Sequence, residues 1–146
     1  MIAVSTQTTR RSLPTRQHQQ VIRDIVAGDV DFSELVNSHE SLLRHIWLVI
    51  SAENGIVSGL DSSTRLLTEL ARKQRTPNAT LIAFWCHMVA WSMLQCDGEL
   101  DVWEAWAGAN LPSSLWSEYY TFQAWTAQGA QHLAANPDKR RLPLLR

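Results

Sequence analysis

Four side chains able to ligate a metal, or to act as nucleophile and base, stand in or near one stretch. TLIAFWCHMVAWSMLQC (80–96) holds Cys86, His87 and Cys96, and His45 lies upstream. Neighbouring positions on a helix diverge by about 100°, so Cys86 and His87 cannot easily share one metal. The chain has no Cys-x-x-Cys, His-x-x-x-His or Glu-x-x-His pair and no glycine-rich phosphate loop. A Cys–His catalytic pair also needs a third group to orient the imidazole, which sequence alone does not place. His87 on a core helix reads as a hydrogen-bonded structural residue. Two cysteines make no disulfide framework, and reduced thiols in a cytoplasmic protein are the simplest reading. The expectation is a protein without catalytic residues, metal or cofactor.

The sequence DGELDVWE (97–104) sets Asp97, Glu99, Asp101 and Glu104 close together. It resembles the acidic DGE-x-D loop of the tellurite-resistance B-like domains, which implies room for a divalent metal. It is not an EF-hand loop, because Gly98 is second rather than sixth. Acids at the start of a helix also favour the positive end of its dipole, each by roughly 0.3–1 kcal/mol, which accounts for them without a metal.

Arginine distribution is more telling than net charge. The formal charge is −1, but all fourteen acids lie between Asp24 and Asp138. Twelve of the thirteen bases fall in three clusters, leaving Arg44 outside. These are Arg10, Arg11, Arg16 and Arg23; Arg65, Arg72, Lys73 and Arg75; and Lys139, Arg140, Arg141 and Arg146. Guanidinium groups make bidentate contacts to phosphate, and clusters of them give affinity without base choice. Arg10, Arg11, Arg16, Arg72, Lys73, Arg75, Arg140 and Arg141 are therefore the candidate nucleic-acid contacts. The acidic body would confine such contact to the ends and one face.

Seven tryptophans are many for 146 residues, and six lie between Trp85 and Trp125. Most should be core, but a small bundle need not bury them all. Trp103, Trp106, Trp116 and Trp125 are the candidate protein-interface residues; an exposed pair could equally stack on bases.

These residues need helices to hold them. Val21, Ile22, Ile25 and Val26 form one stripe ending near Gly28. Asp31 can start a short helix, and Ser38 caps the one bearing Leu42, Leu43, Ile46, Trp47 and Ile50. Residues 56–60 read as a linker, with Asp61, Ser62 and Ser63 as caps for the helix of Leu66, Leu67 and Leu70. Thr76-Pro77 reads as cap and first turn of the long apolar helix. Its dense part, residues 81–94, is too short for a membrane span of about 20 residues and includes His87 and Ser92. It reads as the core. Leu100, Trp103 and Ala107 mark another helix, and residues 111–136 read as one last long helix.

The expected fold is all-α: a single-domain bundle of six or seven helices around a central apolar helix (about 77–96). Residues 1–13 form a basic flexible arm, 14–136 the bundle and 137–146 a basic C-terminal tail. The acid-free N-terminus also has the composition of a transit peptide, though an arm is the simpler reading.

In size, helical content and separated arginine clusters the chain resembles the small subunits of CRISPR effector complexes. That resemblance implies a non-enzymatic subunit, in several copies, holding guide or target backbone without reading sequence. The expected partners are nucleic-acid backbone, RNA or DNA, and neighbouring protein subunits, with no membrane. The other expectation is an interaction module (an immunity protein, inhibitor or adaptor) whose acidic body and Trp-rich half face a protein.

Overall fold

The computed structural model describes residues 16–146. The helices are α1 (Arg16–Ala27), α2 (Phe32–Asn37), α3 (His39–Ala52), α4 (Ile56–Lys73), α5 (Ala79–Gln95), α6 (Leu100–Asn110) and α7 (Phe122–Thr126). Short 3-10 turns at Leu115–Glu118 and Gln128–Gln131 flank α7. No strand occurs among the described residues, and the all-helical bundle expected from the sequence forms. The expected arm, with Arg10 and Arg11, lies outside them.

The apolar helix α5 is buried on nearly every side, from Thr80 and Ile82 through Phe84, Trp85, Cys86, Met88, Val89 and Ala90 to Ser92 and Met93. No single described helix is long and apolar enough to cross a membrane, and the α5–α6 pair is bent by 115°. The centre is shared, however. α3 buries Leu42, Leu43 and the whole run from Ile46 to Ile50, and packs on α1, α4 and α5. Adjacent positions are covered because neighbours stand on several sides of it.

The linker expected at residues 56–60 is instead the first turn of α4. Gly59 is there for contact: a Cβ would stand 2.6 Å from Ile50 Cγ2 and 2.8 Å from Ile50 Cα. Ser62 and Ser63 are buried inside the helix rather than capping it. Ser63 and Thr64 donate to the Leu60 carbonyl at 3.1 and 2.8 Å, so neither hydroxyl is left unsatisfied.

The cap of α5 is Asn78, whose side chain accepts from the Leu81 amide, and not Thr76. Thr76 is committed to closing α4: its amide donates to the Ala71 carbonyl at 2.9 Å and its hydroxyl turns to the same oxygen at 3.5 Å.

The long helix expected over 111–136 is broken into two 3-10 turns and α7. Tyr119 and Tyr120 are adjacent and both buried, and the Tyr120 hydroxyl donates to Ala135 O at 3.0 Å. Asp138 takes the Thr121 amide (2.8 Å) and hydroxyl (2.7 Å), so the chain starts a new helix there. Thr121 Oγ1 then caps α7 by accepting from Ala124 N.

The expected basic tail is a strap laid on the bundle. Lys139 N donates to Tyr119 O, His87 Nε2 to Pro143 O (2.7 Å), and Gln95 Nε2 to Arg146 O (3.1 Å). Leu142 and Leu145 pack partly buried against the core.

Candidate nucleic-acid interface

The end of α4 is the best-built cationic locus. The Arg75 amide donates to Arg72 O, and the Thr76 amide to Ala71 O. These two bonds define a Schellman ending, whose C′ residue must take the left-handed conformation that favours glycine. Arg75 takes it, with φ 59°, the one non-glycine positive φ among the described residues. Gln74 fixes the turn from the other side. Its Oε1 accepts from Phe32 N at 2.8 Å, and its Nε2 donates to Val30 O at 2.6 Å.

Two clefts meet at this turn. Arg75, Thr76, Pro77, Asn78, Asn37 and Gln131 line one of about 390 Å³. Arg72, Thr68, Pro77, Asn78, Gln131 and His132 line a smaller one of about 70 Å³. The shared ridge of Pro77, Asn78 and Gln131 thus carries Arg75 on one side and Arg72 with His132 on the other. Arg65, Thr68 and Arg72 recur at spacings of three and four, so they share a face of α4.

The cations differ in availability. Arg72 pairs with Glu69 at 3.0 Å, both exposed, an interaction worth little in water. Lys73 and Arg75 are exposed without a side-chain partner among the described residues. On the strap, Arg140 pairs with Glu118 at 3.2 Å and lies 5.2 Å over the Tyr119 ring. Lys139 Nζ donates to Ser117 O, while Arg141 is exposed and unpaired among the described residues. Arg16 opens α1, exposed. Asp29 and Asp31 line a separate cleft with Gln74 and Thr76, so the turn also has an acidic side.

The tryptophans divide. Trp103 is 1% exposed and its Nε1 donates to Ser92 Oγ at 2.9 Å. Its proposed place at a protein interface is therefore corrected: it faces α5, and burying an indole with its N–H satisfied makes it core. Trp106, Trp116 and Trp125 are half-buried and keep exposed surface. Trp116 and Trp125 stack in parallel, 5.0 Å between centroids and 9° apart. Trp106 lies against Trp91 at 6.1 Å.

Several of the other candidate groups have structural partners. Cys86 is fully buried, and burial pushes its thiol up to about 11, against the opposing effect of hydrogen bonds with Ser63 and Thr64. His45 Nδ1 bonds to Ser41 O. Glu104 is held by Arg44 through two hydrogen bonds of 2.8 and 3.0 Å. No group of three or more His, Cys, Asp or Glu is arranged for a metal among the described residues.

Sequence reasoning missed His132, Gln131 and Asn78 beside Arg72, and missed the buried Thr80 that ties down the segment carrying Gln131 and His132. Thr80 Oγ1 donates to Ala130 O at 2.8 Å and accepts from Ala135 N at 3.0 Å. These partners lie 50 and 55 residues away, and no local pattern announces them.

No protein-family model, curated protein or solved structure matches this chain.

Proposed function

We propose that the chain is a non-enzymatic helical subunit of a nucleoprotein assembly that holds nucleic-acid backbone without reading sequence. Arg72 and Arg75 are its central phosphate contacts, with Arg65, Lys73 and Arg141 extending the charge. The observation that carries this reading is the placement of Arg75. A left-handed backbone costs a side-chain-bearing residue about 1 kcal/mol or more. The sequence places a cation there, next to Arg72 and His132, with Asn78 and Gln131 offering further donors. The ordered turn fixes the backbone from which both guanidinium groups project, and each planar fork is pre-organised for the hydrogen bonds it makes to a phosphate.

The test is binding of labelled single-stranded and duplex RNA and DNA across a salt series. Micromolar affinity falling linearly in a log–log plot supports the reading. Absence of binding at low salt removes it.

A second reading, the protein-interaction module, is favoured by exposed apolar side chains in the C-terminal part. Phe122 is 70% exposed, Leu133 79% and Leu144 65%. Its sign is tight binding to one protein in lysate cleared of nucleic acid.

A further inference from the structure

The aromatic core of the C-terminal half continues to the surface. Phe84 is fully buried and meets Trp125 edge-on at 5.5 Å and 89°. Tyr120 also lies against Trp125, at 5.2 Å. Trp125 in turn stacks on Trp116, and Trp125 is the one ring against Trp116 among the described residues. Phe122, three positions before Trp125 on α7, is mostly exposed. The chain therefore holds a series of ring contacts that begins in the core and ends in a parallel pair whose outer member is a half-buried indole.

Cations of the strap reach the segment that carries Trp116. Lys139 Nζ donates to the carbonyl of Ser117, the residue after Trp116. Arg140 pairs with Glu118, one position further on, and Arg141 follows with its guanidinium in solvent. The nearby acids are already engaged, Glu118 by Arg140 and Asp138 by the Thr121 amide and hydroxyl.

We infer that Trp116, backed by Trp125, is a stacking platform for an unpaired nucleobase, with Lys139 and Arg141 on the adjoining phosphates. The inference rests on the nucleic-acid reading above and narrows it to a single-stranded segment. Every base offers a π-face, so such a platform adds affinity without choosing sequence. A duplex keeps its bases stacked on one another and must be opened to use it. An indole already fixed by a parallel neighbour needs no reordering to receive another ring.

The test uses fluorescence anisotropy with the full chain and three labelled oligonucleotides of about 12 nucleotides. They are a single strand, the same strand with abasic sites throughout its middle, and the duplex. The expected result is that the intact strand binds about tenfold more tightly than the abasic strand. Trp116→Leu should erase that difference, and Trp116→Phe, which keeps a ring, should retain most of it. Equal affinity of the wild-type chain for intact and abasic strands overturns the platform while leaving phosphate binding in place. Duplex binding as tight as single-strand binding overturns it too. No binding of any oligonucleotide removes both readings and leaves the surface to a protein partner. The abasic comparison needs no variant, so a Trp116 variant that fails to fold does not blunt the test.

Discussion

Gly28 and Arg75 hold the same position in the same helix-ending motif. At the end of α1 the Gly28 and Asp29 amides donate to Ile25 O and Asp24 O; at the end of α4 the Arg75 and Thr76 amides donate to Arg72 O and Ala71 O. The φ values are 79° and 59°. One motif uses the residue that fits it freely, and the other carries strain in a cation. Arg75→Gly should therefore stabilise the fold by about 1 kcal/mol, read as a raised urea midpoint with unchanged slope. Gly28→Ala should lower it by a similar amount through backbone strain alone, since nothing lies within 4 Å of its Cβ position.

Gly59→Ala should be destabilising although alanine is the better helix former by about 1 kcal/mol. The added methyl would meet Ile50 Cγ2 at 2.6 Å and its backbone Cα and O at 2.8 and 2.9 Å. Side-chain rotation cannot relieve backbone contacts, so α3 and α4 must part, at about 2 kcal/mol. Val57→Ala, at a 71% exposed position of the same turn, should leave the urea midpoint almost unmoved.

Thr80→Val should loosen residues 128–138. It removes the donor to Ala130 O and the acceptor for Ala135 N, leaving backbone groups unpaired at a buried site. The loss should be about 1–3 kcal/mol, with faster amide exchange at Ala135. Thr80→Ser keeps the hydroxyl and should lose less.

Strap attachment should depend on acid. Hydrogen bonds from the Thr121 hydroxyl and then its amide hold the Asp138 carboxyl below the usual carboxylate range. A carboxyl lowered on folding stabilises the folded state fully above its unfolded value, near 4. That contribution is lost as pH falls through the lowered one. Protection of the Thr121 amide, corrected for intrinsic exchange, should thus drop below about pH 4. In Asp138→Ala it should be low at every pH.

The helix α3 and the body of α5 were legible because their apolar runs and the Ser38 cap are local. The first turn of α4 reads as linker because the reason for Gly59, the approach of Ile50, lies in the tertiary structure. Residues 111–136 carry apolar groups at helical spacing, yet the adjacent burial of Tyr119 and Tyr120 and the pull of Asp138 on Thr121 broke the helix. Of the candidate site, the cations were readable from composition. The helix ending that strains Arg75, and the return of His132 to Arg72, were not, because both depend on hydrogen bonds and packing rather than residue type. Trp103 shows the same limit: its indole N–H finds Ser92 only in the fold.

The most direct measurement is the salt dependence of oligonucleotide binding by the wild-type chain and by Arg72→Ala/Arg75→Gly. If Arg72 and Arg75 are phosphate contacts, the double variant binds more weakly and its log–log salt slope shrinks by about 1 to 2. It should do so in a chain no less stable than wild type, since Arg75→Gly relieves strain. An unchanged affinity and slope would contradict the account, and so would a wild-type chain that binds no oligonucleotide at low salt.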